Sequence, residues 1–426
     1  MKRAVRTSVA RGTVIAPPSK SYTHRALVAG YLTGRRYRID RPLRADDTRA
    51  TARGLAALGG SFQEGPTAWT WVPRHDKDRD ARTARIECRE SGTTLRFLSA
   101  LAATLDRSVR FTGRPGLARR PLGELLEVLR SGGVTIEGLA PGRSLPFWMH
   151  GPLRPVNATL DTSTSSQFLS ALLLVLPTLG GPSDLRLSGD PVSWDYVEAT
   201  LAILRHHRVD AEVNRTRARV PGGQHYRGTS FAVPGDASSA AYAWAAAALT
   251  GGAVRVRGIP RQWPQADLAL LDYLETMGAT VRRHADGATV EGGPLAATEV
   301  DLGSSPDLYP LVGVLASFAR GTTRIRGAPH VAWKESDRRA ATVRLARGFG
   351  AGAGVVPGGV DIRGTAHPRA IHVQGIDDHR VVMSASVGAM AAPGESLIGD
   401  AACVRKSFPG YWGWASSLGM TTEVRR

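Results

Sequence analysis

Six polar turns, each between a strand-like run and an apolar helical pattern, carry the residues of this chain best suited to chemistry. In the first, Ala16 to Leu27, a short apolar strand meets Pro17 and Pro18 and is followed by Ser19, Lys20, Ser21, His24 and Arg25. Proline cannot continue a strand ladder, so the strand stops and leaves backbone N–H groups free at a helix start, where anions bind. Lys20, the hydroxyls and Arg25 one turn on add charge-assisted donors for a phosphate or carboxylate. The alternative is a basic turn with its cations in water. The next turns offer Ser91, Gly92 and Thr93, then Ser163, Thr164, Ser165, Ser166 and Gln167. One hydroxyl caps a helix and four exceed that need, while Gly92 allows a ligand close to the backbone.

The last three turns carry Asp236, Asp307 and the run Asp377, Asp378, His379 and Arg380. Beside them WKESDRR is read as placing Lys334, Glu335, Asp337 and Arg338 within one helical turn, and VRKSFPGYW sets Arg405 and Lys406 ahead of a proline. Each alone can be a solvated face or a capping box. Together they make one half of the chain rich in hydroxyls and arginine, and another with carboxylates beside lysines. That set can hold a multiply anionic substrate pair while protons move.

The elements positioning these turns repeat. Anchored at Lys20, Ser91, Thr164, Asp236, Ser305 and Asp377, the spacings are 71, 73, 72, 69 and 72 residues. Each anchor is followed by an apolar helix, a second strand such as GAVRVRGIP, a second helix with a glycine stop such as LGELLEVLRSGG, and closing strands such as TVRRHADGATVEGG. The changes of period and the glycine stops give a βαβαββ unit, six times over. A solenoid is the other reading of a repeat, but ~70 residues is longer than the ~20 to 50 usual there. At 426 residues the chain exceeds one ordinary core. The expected fold is α/β in two lobes of three repeats, residues 1–16 plus 234–426 and residues 17–233, with crossovers near Ala16-Pro17 and Pro234-Gly235.

A formal charge of +18 suits a nucleic-acid binder, but the basic residues are spread along the chain and aromatics are sparse at 6%. Nearly all are arginine; the lysines are Lys2, Lys20, Lys77, Lys334 and Lys406, and three of the five fall in the motifs above. Two cysteines, Cys88 and Cys403, at no metal-ligand spacing, argue against a disulfide scaffold and for a reducing compartment. With no long apolar leader and no bilayer-length apolar run, the expectation is a cytoplasmic protein that binds neither membrane nor nucleic acid.

The segments PSKSYTHRAL, ESGTTLRFL, GLARRPLGELLEVLRSGG, STSSQFLSALL, GDASSAAY, SPDLYPLVGVLA, WKESDRR, DDHRVVM and RKSFPGYW, in order from about residue 12 to the C-terminus, resemble the 5-enolpyruvylshikimate-3-phosphate (EPSP) synthase family of enolpyruvyl transferases. The resemblance implies that family's fold, an inverse α/β-barrel-like arrangement of six βαβαββ units in two lobes that close on substrate. It also implies transfer of the enolpyruvyl group of phosphoenolpyruvate to the 5-hydroxyl of shikimate 3-phosphate, with release of phosphate, by a monomer without metal or cofactor. By similarity Lys20, Arg120, Arg338, Arg380 and Lys406 hold phosphoenolpyruvate, with Gly92 lying against it, so that a larger side chain there would intrude on it or on a phosphonate analogue such as glyphosate. Lys20, Ser21, Arg25, Ser165, Ser166, Ser193, Asp307 and Lys334 bind shikimate 3-phosphate, and Gln167 lies between the ligands. Asp307 is the implied base for the hydroxyl proton, Glu335 and Lys406 are the candidates for the C3 proton, and Lys20 is placed near the departing phosphate. His379 is read as support for Arg380 or Glu335, and Asp236 as a helix cap.

Two positions depart from the pattern: Glu90 and His330 each stand where the family often has Asn. A carboxylate at Glu90 beside an anion site is expected either to weaken anion binding or to be neutralised by Arg89 or Arg119. A sister family acting on a UDP-amino sugar shares the fold but carries Lys-Asn in the first motif and a reactive Cys or Asp in the second-repeat loop. Here those positions read Lys20-Ser21 and GRPGLARRP, without cysteine.

Overall fold

The computed structural model describes residues 1–74, 83–375 and 377–425, so Lys77, Ile376 and Arg426 lie outside the described residues. The chain divides into two compact units, one continuous (Pro18–Val233) and one made of two segments, Met1–Pro17 with Pro234–Arg426. The continuous unit contains α1 (Lys20–Leu32), α2 (Asp46–Gly59), α3 (Gly92–Ala103), α4 (Gly123–Ser131), α5 (Ser166–Val175) and α6 (Asp195–His206). The two-segment unit contains α7 (Ala237–Thr250), α8 (Leu270–Thr276), α9 (Tyr309–Phe318), α10 (Arg338–Gly348), α11 (His379–Ala391) and α12 (Tyr411–Ser416).

Six four-stranded sheets share one spatial order, first, second, fourth, third strand; three are built from a single repeat's own strands, and the other three take one strand from elsewhere in the chain. The first two strands pair in parallel across the first helix, and the closing strands add antiparallel, as where Thr83–Glu87 lies beside Ser108–Thr112 and that beside Phe147–His150. The first and third strands are therefore edges, and the six sheets stay separate. No closed barrel forms among the described residues.

Two strands run from one unit's sheet into the other unit's helix. Arg11–Ile15 pairs with Ala253–Arg257 in the two-segment unit, although it leads into α1. Ser230–Ala232 pairs with Tyr37–Asp40 in the continuous unit and leads into α7. The last sheet is completed from the start of the chain, with Lys2–Arg6 antiparallel between Glu395–Ile398 and Thr421–Arg425.

The first helix of each repeat is buried on nearly all sides, as in α5 (SQFLSALLLV) and the alanine-rich α7. Such helices form the centre of a unit; α7, α9 and α11 pack on one another, as α3 packs on α5. Leu169, Leu172 and Leu173 are fully buried, each stabilising by about 1.5–3 kcal/mol. Apolar bodies thus fix these helices, and polar residues stand at their N-termini. Helix α7 ends at Gly251, whose φ of +65° is the left-handed cap glycine favours.

Candidate active site

In the continuous unit, Ser19 rather than Ser21 caps α1, accepting from the Tyr22 amide. This leaves Ser21 Oγ to accept from Arg25 Nη1 at 2.7 Å. Arg25 is fully buried and donates further to Thr200 Oγ1 (2.9 Å), the Tyr196 carbonyl (2.6 Å) and Ser170 Oγ (3.4 Å). None of these partners carries charge. Burial lowers its pKa to about 10, although Tyr22 and Tyr196 oppose the shift. A buried guanidinium with neutral neighbours is poised for an anion. At the head of the same helix Lys20 Nζ stands 3.3 Å from Asp47 Oδ2.

Gly92 opens α3, and a Cβ there would sit 2.8 Å from Arg96 Nη1 and 3.4 Å from Arg120 Nη1. Arg96 donates to Gln167 Oε1 at 2.7 Å and to the Pro121 carbonyl at 2.9 Å, while Gln167 Nε2 donates to Thr93 Oγ1 at 3.3 Å. The second and third turns are thus joined around Gly92, Arg96, Arg120 and Gln167. Sequence reading passed over Arg96, yet it lies one turn beyond Gly92 on the same helix face, and that i, i+4 spacing was the available signal. Ser165 caps α5 through the Gln167 amide, Ser166 is buried, and buried Ser193 holds a φ of +54°. Arg114 Nη1 lies 3.6 Å from Glu90 Oε1, a neutralising partner not expected from sequence.

The two-segment unit gathers the carboxylates. Asp307, in the short turn Pro306–Leu308, accepts from Arg338 Nη1 at 2.7 Å and from Arg380 Nη2 at 2.6 Å. Arg338 also donates to Glu335 Oε2 at 2.8 Å and to Asp378 Oδ2 at 3.0 Å. Burial opposes the Arg338 charge, but Asp378, Glu335 and Asp307 outweigh it and raise its pKa. Burial likewise pushes the Asp378 carboxyl up, and Arg338 overrides this and holds it below the usual range.

Lys334, Glu335 and Asp337 do not share a helical turn with Arg338, contrary to the sequence expectation. Asp337 is extended and caps α10 through the Arg339 and Ala340 amides, so the helix begins only at Arg338 and Glu335 reaches it from outside. Lys334 follows the short turn Pro329–Trp333 and is half-buried. His330 in that turn is pushed down to about 3 by burial and then by Lys334, with Asp307 opposing. Lys406 Nζ is 2.9 Å from both the carboxylate and the carbonyl oxygen of Asp377. Asp236 caps α7 through the Ser239 amide, and His379 is buried at the head of α11. Asp267, which sequence reading did not single out, is buried and accepts from Ser238 Oγ. Burial and the charge of Asp307 push its carboxyl up to about 7, with Arg380 opposing.

A family model described as EPSP synthase (3-phosphoshikimate 1-carboxyvinyltransferase) matches residues 6–414. The chain belongs to the EPSP synthase family. The 3-phosphoshikimate 1-carboxyvinyltransferase of Methanoculleus marisnigri is 41% identical over 403 residues, covering 93% of this chain and 94% of that one. The enzyme of the same name from Thermococcus kodakarensis is 38% identical, covering 94% and 96%. Among solved structures, EPSP synthase from Acinetobacter baumannii has a TM-score of 0.83 at 23% identity over the full length of both chains. The enolpyruvyl transferase NikO from Streptomyces tendae has a TM-score of 0.77 at 18% identity, covering 99% and 98%. At these identities the two structures speak for the enolpyruvyl transferase fold alone.

Proposed function

We propose that this chain transfers the enolpyruvyl group of phosphoenolpyruvate to the 5-hydroxyl of shikimate 3-phosphate and releases phosphate. The hydroxyl adds to C2 while C3 gains a proton, and the tetrahedral intermediate then loses C3–H and phosphate. Ser21, Arg25, Ser165, Ser166, Ser193 and Lys334 bind shikimate 3-phosphate, and the neutral surroundings of the buried Arg25 favour that assignment. Lys20, Gly92, Arg120, Arg338, Arg380 and Lys406 take phosphoenolpyruvate, with Gln167 serving both ligands. Asp307 accepts the hydroxyl proton, Glu335 and Lys406 handle the C3 proton, and Lys20 steadies the leaving phosphate.

The observation that carries the reading is Asp307 bridged by Arg338 and Arg380. A carboxylate held by two guanidiniums is a poor base. When the carboxylate and phosphate of phosphoenolpyruvate draw those guanidiniums to themselves, Asp307 is released as a base as the second substrate arrives. The chain works as a cytoplasmic monomer on these two small molecules, and the dispersal of its arginines speaks against nucleic acid as a partner.

Phosphate release from phosphoenolpyruvate tests this, with shikimate 3-phosphate or UDP-N-acetylglucosamine as acceptor. Release is expected only with shikimate 3-phosphate. Release with the nucleotide sugar alone moves the chain to the sister activity, and retention on DNA with no release from either overturns the enzymatic reading.

A further inference from the structure

Behind the Gly92 turn runs a chain of four side chains, each no more than 1% exposed. His24 Nδ1 on α1 is 2.8 Å from Thr51 Oγ1 on α2, which is 2.7 Å from Thr94 Oγ1 on α3. Thr94 donates to Oγ of Ser91, the α3 cap, at 2.7 Å. Asp47 near the head of α2 links Lys20 to Thr94 within this arrangement. Its carboxylate stands 3.3 Å from Lys20 Nζ, and its carbonyl oxygen lies 3.3 Å from Thr94 Oγ1 as a longer second acceptor.

A hydroxyl carries a single proton, and that sets the direction of the chain. Thr94 commits its proton to Ser91 and so accepts from Thr51. Thr51 then has no proton for His24, so His24 donates from Nδ1. Its Nε2 is buried without a hydrogen-bond partner, which suits a bare nitrogen, since an orphaned buried N–H is rarer and costly. Ser91 Oγ accepts from both the Thr94 amide (3.1 Å) and the Thr94 hydroxyl, so its own proton points away from the chain. Burial, with Lys20 and Arg25 on the same helix, keeps the imidazole neutral.

We propose that His24, Thr51, Thr94 and Ser91 form a one-way hydrogen-bond relay that fixes the head of α3 against α1 and α2, and so sets the Gly92 turn relative to Lys20 for the phosphoenolpyruvate anion. The four are positioning residues, and their function rests on the reading given under Proposed function. Neither charge nor proton transfer is asked of them: the relay holds two anion-binding helix starts at one spacing.

Two measurements test it. In 15N-histidine NMR of the full chain, His24 should show a protonated Nδ1 and a bare Nε2; the opposite tautomer overturns the relay whether or not the chain turns over substrate. In steady-state kinetics, Thr94→Val should raise KM for phosphoenolpyruvate about tenfold, the effect of one buried hydrogen bond. Both kcat and KM for shikimate 3-phosphate should stay within about twofold, and Thr94→Ser should restore the wild-type value. An unchanged KM, or a fall in kcat with a rise in both KM values that serine does not rescue, overturns the positioning role. Absence of turnover in the wild type is a different result: it removes the functional reading and leaves the tautomer to decide the relay.

Discussion

Arg25 and Arg338 are both buried guanidiniums, and their surroundings are opposite. Arg338 meets three carboxylates and is compensated before any ligand arrives. Arg25 meets hydroxyls and carbonyls, all neutral, and on the proposed reading its charge is matched by the phosphate of shikimate 3-phosphate. Replacing Arg25 with Met should lower affinity for shikimate 3-phosphate about 10- to 100-fold, as expected for charge-assisted hydrogen bonds. The ligand-induced rise in melting temperature should vanish with it; an undiminished rise would place the phosphate elsewhere. Asp307→Ala should cut turnover about 10²- to 10⁴-fold, the contribution of a general base, while calorimetry still detects shikimate 3-phosphate binding. Near-normal turnover would remove Asp307 from the base role. At this scale the sequence exposed residues that sit at helix starts, because Ser, Gly, Lys and Asp next to an apolar run are informative by type. It did not expose Arg96, whose only signal was its place one turn beyond Gly92 on α3, or Asp267, which packing alone brings to the cluster.

Elements decide how the buried titratable groups respond to pH. His330, in the turn Pro329–Trp333, is held to about 3 against 6.5 when free, and His207, at the end of α6, to about 4, in both cases chiefly by burial. For these bases the unfolded chain takes up protons first. Stability is therefore lost as pH falls below about 6.5 towards 4. Asp267, in the turn Ala266–Ala269, has the opposite sign. Its folded carboxyl titrates at about 7 against 3.8 when free, so its contribution is fully present below about 3.8 and is lost as pH rises through 7. Denaturant titrations from pH 4 to 8 should show His330→Asn reducing the acid loss, and Asp267→Asn gaining relative to wild type towards pH 8. Parallel pH profiles for both variants and the wild type would contradict these environments. Glycine stops and changes of period made the order of helices and strands legible. The start of α10 was not, because WKESDRR satisfies a helical spacing while Asp337 acts as a cap and ends that pattern one residue before Arg338.

On the scale of the whole molecule, the sheets account for where part of the +18 charge lies. Strands such as Ala253–Arg257 and Thr322–Arg326 bury alternate residues, Val254 and Val256 or Thr323 and Ile325, and turn Arg255, Arg257 and Arg324 outward. Six sheets with one covered face each spread cations over the surface, as the dispersal in sequence suggested. The repeat was legible because the same strand-turn-helix grammar recurs about every 70 residues. Completion of the last sheet by Lys2–Arg6 was not, since its partners lie some 400 residues away and no local pattern encodes that pairing. The family, the repeated architecture and the clusters around Arg25 and Asp307 converge on one transfer reaction. NMR of the products formed from phosphoenolpyruvate and shikimate 3-phosphate tests it most directly. The account predicts one enolpyruvyl ether on the 5-oxygen for each phosphate released; phosphate without ether, or ether on another oxygen, would contradict it.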